Sequence, residues 1–357
     1  MAPRRSDASV GQVDWHSRRV RRWNSLEEAA ADLAAAGTST VVTIGNFDGV
    51  HRGHRAVLAQ IVKQARRRDA LAVAITFDPH PLAVLFPERA PAQLTGLTHK
   101  LELLAETGLD ATLVMTFTRE LASWSPEHFV RAVLVEALRV GAVVVGQDMR
   151  FGHRNSGDVN TLRQLGQGYG FEVLLLEDVG FAAGTDEGHA APQDADPARR
   201  WSSTWVRDLV VSGDVATAAG VLGRPHRVSG TVVHGDHRGR LLGFPTANLS
   251  QDAEGLIPQD GVYAGWLVLL DQPGAPRMPA AISVGTNPTF DGHQRRVEAY
   301  VLDRDDLELY GQSVGVEFVR LLRPTLRFDG VETLIEQMHE DVRQSYRALG
   351  VRRPDPR

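Results

Sequence analysis

The 357-residue sequence predicts an α/β domain built on a parallel sheet, followed by a small antiparallel β-barrel that ends in a helix. Three observations carry this. In the first half, short runs that are apolar throughout alternate with stretches of helical spacing. Strands covered on both faces read this way, and βαβ units pair them in parallel. From about Arg224, strand-like runs follow one another with turns but no helices between them, as in a small barrel. The chain also exceeds what one core commonly serves, so two domains are expected, over 20–222 and 223–350.

Taken in order, "TVVTIG" reads as the first strand, and "HRAVLAQIVKQARRR" as a helix with Val57, Ile61 and Ala65 on its apolar face. "LAVAITF" is a strand and "THKLELLAETG" a helix closing on Gly108. "ATLVMTF" is a strand, and "SPEHFVRAVLVEALR" a helix with Ser125 as N-cap and Pro126 in its first turn. "VGAVVVG" and "FEVLLLEDV" complete the series. Residues 181–200 are rich in Gly, Ala, Pro and Asp, lack either period, and read as a loop or insertion. "WSSTWVRDLVVSGDVATAAGVLG" gives two short helices. The barrel strands are "HRVSGTVVHG", "GVYAGWLVLL", "PAAISVG", "RVEAYVLD" and "VGVEFVRLLRP". The last helix places Leu334, Met338 and Val342 on one side, and "RRPDPR" reads as a disordered tail.

Hydrophobic content of 43% and charged content of 23% are those of an ordinary soluble protein. No apolar run approaches the roughly 20 residues that span a bilayer, and the arginine-bearing N-terminus lacks the apolar stretch of a secretory signal. With no cysteine there is no disulfide or thiolate metal site, and a cytoplasmic setting is the default. A net charge of −5 does not support nucleic-acid binding, and the Arg18–Arg22 and Arg66–Arg68 clusters read as solvated helix faces. Only two lysines occur, Lys63 and Lys100, and neither sits in a Gly-Lys-Ser/Thr context. A nucleotide would therefore be bound without a Walker A loop.

"VVTIGNFDGVHRGH" joins the first strand, ending near Gly45, to a helix that begins near the histidines. A helix start at the carboxyl end of a parallel strand presents free N–H groups and a positive dipole end to phosphate. Gly53 lets phosphate approach the backbone, and His51 and His54, three apart, share one face. Read alone, the motif equally fits an amphipathic helix carrying surface histidines. "WSSTWVR" offers Ser202, Ser203 and Thr204 at a second helix start, with Arg207 one turn on. Alone this is an N-cap; with the histidines it forms a polyphosphate-binding set.

These motifs are similar to those of the nucleotidyltransferase superfamily that uses His-x-Gly-His and Ser-Thr-x-x-Arg. "GNFDGVHRGH", "TFDPHP", "FTRELASWSPEHFV" and "VGQDMRFGHRNSGD" resemble, more narrowly, the adenylyltransferase module of prokaryotic bifunctional riboflavin kinase/FAD synthetases. The resemblance implies a Rossmann-like domain in which FMN attacks the α-phosphorus of ATP and pyrophosphate leaves. It implies that His51, His54, Thr204 and Arg207 handle the triphosphate. Gly45, Phe47, Gly53, Asp148 and Ser203 then belong to the ATP site, with Gly152 and the Asn155–Asp158 turn in nucleotide-contacting loops. His80 in "FDPHP" is a candidate substrate contact or part of a proline-rigid turn. Met149, Trp201 and His99 depart from the family's aromatic, aliphatic and acidic residues, and the first two bear on flavin or adenine packing.

In "GTVVHGDHRGRLLGFPTANL" the glycines, Gly235 and Gly243 among them, permit tight turns and close backbone approach to a ligand. Pro245 precedes Thr246 and Asn248, whose oxygens suit Mg²⁺ or phosphate. In "RRVEAYVLD" Val297, Ala299 and Val301 face one way, and Glu298, Tyr300 and Leu302 the other. Glu298 reads either as a general base between apolar neighbours or as a solvated strand residue. With "GVYAGW" and "SVGTNPTFDG", these blocks resemble the riboflavin kinase module. That implies that Glu298 deprotonates the riboflavin 5′-hydroxyl, that Gly235, Gly243, Thr246 and Asn248 bind ATP, and that Thr246 and Asn248 hold Mg²⁺. The expected small molecules are riboflavin, FMN, FAD, ATP, ADP and pyrophosphate. No nucleic-acid or membrane partner is expected, and the chain is expected to be a monomer or weak homo-oligomer.

Overall fold

The computed structural model describes residues 13–15, 18–176, 201–235, 242–272, 274, 276–289 and 292–353. The expected loop over 181–200 and most of the "GDHRGR" turn lie outside them. The chain forms two compact units, Met1–Pro91 with Leu97–Gly184, and Ala92–Gly96 with Thr185–Arg357.

The first unit holds a seven-stranded sheet in the order β1-β2-β5-β4-β3-β6-β7. Its strands are β1 Val13–Trp15, β2 Arg18–Trp23, β3 Thr40–Ile44, β4 Leu71–Asp78, β5 Ala111–Thr116, β6 Val140–Val145 and β7 Glu172–Leu175. Only β1 is antiparallel to its neighbour. Val42, Val73, Ile75, Leu113 and Val143 pack into one core, and Val41, Ala72, Ala74, Ala142 and Val144 into another. Successive residues thus enter opposite faces, which is why these strands read as unbroken apolar runs. The chain reverses direction across the sheet at β3, so the crevice beyond the carboxyl ends of β3 and β6 is the place where such sheets bind ligands.

Helix α1, Leu26–Ala36, was not anticipated; Ser25 caps it and Gly37 closes it in the left-handed region. Helix α2, Arg52–Arg67, buries Leu58, Ile61 and Ala65. After α3 (Pro81–Leu85), α4 (Leu97–Ala105) and α5 (Arg119–Ala122), α6 begins at Pro126 with Ser125 Oγ accepting from His128 N. Past Phe129 it widens into a π-helix, Val130–Ala137. Helix α7 spans Val159–Tyr169. The Arg18–Arg22 cluster is not a helix face: it lies in β2, where Trp23 is buried and donates from Nε1 to Asp32 at 2.9 Å. Arg66 and Arg67 are exposed in the last turn of α2, as expected, and Arg66 also forks onto Asp110 at 2.9 and 3.0 Å.

In the second unit β8 His226–Val233, β9 Ala247–Leu249, β10 Gly261–Leu269, β11 Met278–Thr289, β12 Gly292–Val301 and β13 Ser313–Arg323 close a barrel in the order β10-β11-β12-β9-β8-β13. Val228, Tyr263, Leu267, Ile282, Val297, Ala299, Val316 and Phe318 fill it. At Gly265 a Cβ would lie 2.1 Å from the Glu317 carbonyl oxygen, so β10 and β13 can approach only with glycine there. Helices α8 Ser203–Val211 and α9 Val215–Leu222 belong to this unit. The last helix, α10 Val331–Leu349, buries Val342 and Tyr346 against Phe244 and Leu302, with Met338 at the edge. The expected tail is ordered further than its composition suggests: Arg353 grips Asp303 with Nε and Nη2 at 3.0 and 3.1 Å. The residues after it lie outside those described.

Candidate active sites

Beyond β3, Gly45 N donates to Ile75 O at 3.0 Å, and the chain turns through Phe47, Gly49 and Val50 at φ 48°, 80° and 36°. A Cβ at 45 would meet the Phe47 ring at 3.0 Å, so glycine lets that ring fold back. Phe47 and Val50 hold a left-handed backbone without being glycine, and their burial on the α2 side of the sheet keeps them there. His51 is the N-cap of α2, its Nδ1 accepting from His54 N at 3.3 Å. In the neutral ring the proton then sits on Nε2. The two imidazoles stack with centroids 3.7 Å apart and planes 17° from parallel, and Phe47 meets His54 edge-on at 5.3 Å. Gly53 lies in the first turn of α2.

The neighbouring strand ends converge on this turn. Thr76 Oγ1 donates to Asn46 O, and the Asn46 amide lies 3.0 Å from His80 Nε2. His80 also caps α3, its Nδ1 accepting from Leu82 N at 3.2 Å. Asp148 is exposed in the turn after β6, and Met149 packs against the core. Lys100, one of the two lysines, belongs to none of the motifs. It is buried and donates to Phe77 O at 3.3 Å; burial pulls its pKa down, opposed by Asp48 and Asp78.

In the second unit Ser202, rather than Ser203 or Thr204, caps α8, its Oγ accepting from Trp205 N at 3.2 Å. Ser203 opens the helix, Thr204 is exposed, and Arg207 Nε donates to Ala92 O at 2.7 Å. Trp201 is buried.

The barrel brings its predicted residues together on its outer wall. Val297, Ala299 and Val301 point into the core, which turns Glu298 outward. Glu298 is the cross-strand partner of Asn248, and its Oε2 lies 3.5 Å from Thr246 Oγ1. The Asn248 amide nitrogen bonds Thr246 O and Oγ1, both at 3.3 Å, which leaves its carbonyl oxygen for another partner. A Cβ at Gly235 would come within 2.5 Å of that amide, so a side chain there would displace the Asn248 amide from its present place. Gly243 takes a left-handed φ of 84° in the turn before Phe244. Thr246, Asn248 and Gly235 line an open cleft with Val232, Ala299 and Val301 and with residues of the segment Arg304–Tyr310. The sequence reading missed that segment, since "RDDLELY" carries no motif.

A family model described as FAD synthetase matches residues 34–185, and one described as riboflavin kinase matches 222–349. A relative from Escherichia coli K12, a bifunctional riboflavin kinase/FMN adenylyltransferase, is 36% identical over 88% of this chain and 94% of its own. The chain belongs to the bifunctional riboflavin kinase/FMN adenylyltransferase family. A relative of the same description from Listeria monocytogenes is 37% identical over 84% of this chain and 90% of its own. A solved structure described as a macrolide-efflux protein from Streptococcus pneumoniae aligns with TM-score 0.72 at 29% identity, over 86% of this chain and 94% of that one. Among the described residues no helix is long and apolar enough to cross a membrane.

In this family member the histidine pair carries a pH signature. Burial first, and the neighbouring His51 second, lower the His54 pKa well below its ordinary value of 6.5. Its Nδ1 is sealed from solvent and has no partner among the described residues. The folded state therefore keeps His54 neutral where the unfolded chain binds a proton. The resulting stability is complete above pH 6.5 and is lost as the pH falls below that value, at up to about 1.4 kcal/mol per pH unit. Urea melts of wild type and His54→Gln between pH 7.5 and 5 should converge toward the acid end. Parallel lines across the series would contradict the assignment.

Proposed function

We propose that the chain makes flavin cofactors in two steps: phosphorylation of riboflavin to FMN by the barrel, and adenylylation of FMN to FAD by the α/β domain. The observation that carries the reading is the grouping of Glu298, Thr246 and Asn248 on one barrel wall, in a chain that also stacks His51 on His54. We assign the second step to residues 20–222 and the first to 223–350.

In the kinase step Glu298 accepts the proton of the riboflavin 5′-hydroxyl as that oxygen attacks the γ-phosphorus, and ADP leaves. Gly235, Gly243, Thr246 and Asn248 hold the ATP. Thr246 Oγ1 and the Asn248 carbonyl oxygen are hard donors of the type Mg²⁺ takes, so they fit the ion. Mg²⁺ bound with ATP neutralises phosphate charge. In the transferase step a phosphate oxygen of FMN attacks the α-phosphorus in line and pyrophosphate departs, with no covalent enzyme intermediate. His51, His54, Thr204 and Arg207 stabilise charge on the phosphates. Gly45, Phe47, Gly53, Asp148 and Ser203 shape the ATP site, and His80 contacts the flavin substrate. The net charge of −5 supports small-molecule rather than nucleic-acid partners. We place the enzyme in the cytoplasm as a monomer or weak homo-oligomer.

Purified protein given riboflavin, ATP and magnesium should form FMN and then FAD, followed by chromatography. Failure to adenylylate added FMN, with transfer to another phosphorylated acceptor instead, would reassign the first domain within its superfamily.

A further inference from the structure

The loop that closes the barrel cleft is held from an unexpected direction. Strand β12 ends at Val301, Leu302 N donates to Pro279 O at 2.9 Å, and Asp303 then turns the chain with φ 51°. A non-glycine residue in that region is strained and keeps its conformation only when its surroundings impose it. Here they belong to the C-terminus. Asp303 Oδ2 accepts from Tyr346 Oη at 2.9 Å and from Arg353 Nε at 3.0 Å, and Oδ1 accepts from Arg353 Nη2 at 3.1 Å.

From this anchor the chain runs along the cleft. Arg304 forks onto Asp306 at 2.5 and 2.9 Å, and Arg304, Asp305 and Leu307–Tyr310 line the cleft. The far end is tied to the barrel, with Gly311 N donating to Val232 O at 2.9 Å and Tyr310 stacked on His234 at 4.0 Å. The opposite wall is backed by the same helix. Phe244, two residues before Thr246, packs with Leu302, Val342 and Tyr346. Helix α10 thus touches the root of both walls.

We propose that α10 and the residue Arg353 beyond it form a positioning device for the nucleotide cleft of the kinase, acting through Asp303. The proposal rests on the reading of that cleft as the ATP site. Asp303 is a positioning residue: it fixes where Arg304–Tyr310 stand relative to Thr246 and Asn248, and so sets ATP affinity rather than the chemical step. Burial disfavours its carboxylate, but the hydrogen bonds from Arg353 and Tyr346 outweigh that and hold its pKa below the ordinary value. The anchor is therefore charged at neutral pH.

Steady-state kinetics of Arg353→Ala and Asp303→Asn in the full chain test this. The KM for ATP in FMN formation should rise on the order of tenfold, the scale of losing charge-assisted hydrogen bonds. The kcat at saturating ATP, the KM for riboflavin and the conversion of added FMN to FAD should stay within about twofold of wild type, the scatter of a neutral surface change. Arg353→Lys, which keeps the charge but not the fork, should recover only part of the loss. Arg353 is half-exposed, so its replacement leaves a folded protein even if the Asp303 variant does not fold. A lowered melting temperature with an unchanged KM for ATP in Arg353→Ala would overturn the proposal. A wild-type protein that forms no FMN would instead overturn the reading of the cleft.

Discussion

Glu298→Gln is expected to abolish FMN formation, by about 10²- to 10⁴-fold in kcat, the scale of a positioned general base. The amide keeps the volume of the side chain but cannot take a proton. Nothing in the fold should suffer, because Glu298 stands on the outer wall while Val297 and Ala299 carry the packing. The Thr246 hydroxyl, 3.5 Å from the carboxylate, can pair with the amide oxygen instead. Conversion of added FMN to FAD should continue at the wild-type rate. Initial rates with riboflavin and with FMN, measured on the same preparation, decide the matter. FMN formation within tenfold of wild type would remove Glu298 from the role of base.

His54→Ala is expected to do the reverse. It deletes one of two stacked rings at the start of α2 and leaves His51 without its 3.7 Å neighbour. Loss of a group that stabilises transition-state charge costs about 10²- to 10³-fold in kcat. FAD formation from FMN should fall by that factor while riboflavin phosphorylation is retained. A folded His54→Ala protein that had lost both activities would contradict the division of labour between the two domains.

Much of this arrangement was legible in the residues. The inner strands of the sheet were readable because both faces are buried, which leaves β3, β4, β5 and β6 mostly apolar, with threonines as their usual polar residue. Strand β2 was not, because its buried Trp23 sits among four arginines and local composition speaks for solvent. The Ser25 and Gly37 caps of α1 were present in the sequence and passed over. The widening of α6 into a π-helix left no mark, since a helical pattern does not distinguish the two ladders over eight residues. At the candidate sites, the short motifs pointed to residues that lie together in the structure: the histidine pair, and Thr246 with Asn248 and Glu298. Residues whose role depends on distant partners were not. Lys100 is defined by Phe77 O and by Asp48 and Asp78, and Asp303 by Tyr346 and Arg353. No periodicity or spacing encodes pairs separated by tens of residues.

The outward orientation of Glu298 and Asn248 on a closed, filled barrel has a consequence for turnover. If that wall is the kinase site, ligands should arrive and depart without any ladder hydrogen bond being broken, and turnover should not require the interior to open. Trimming the core, as in Ile282→Val, should bring the temperature of inactivation down and leave the rate at lower temperatures untouched.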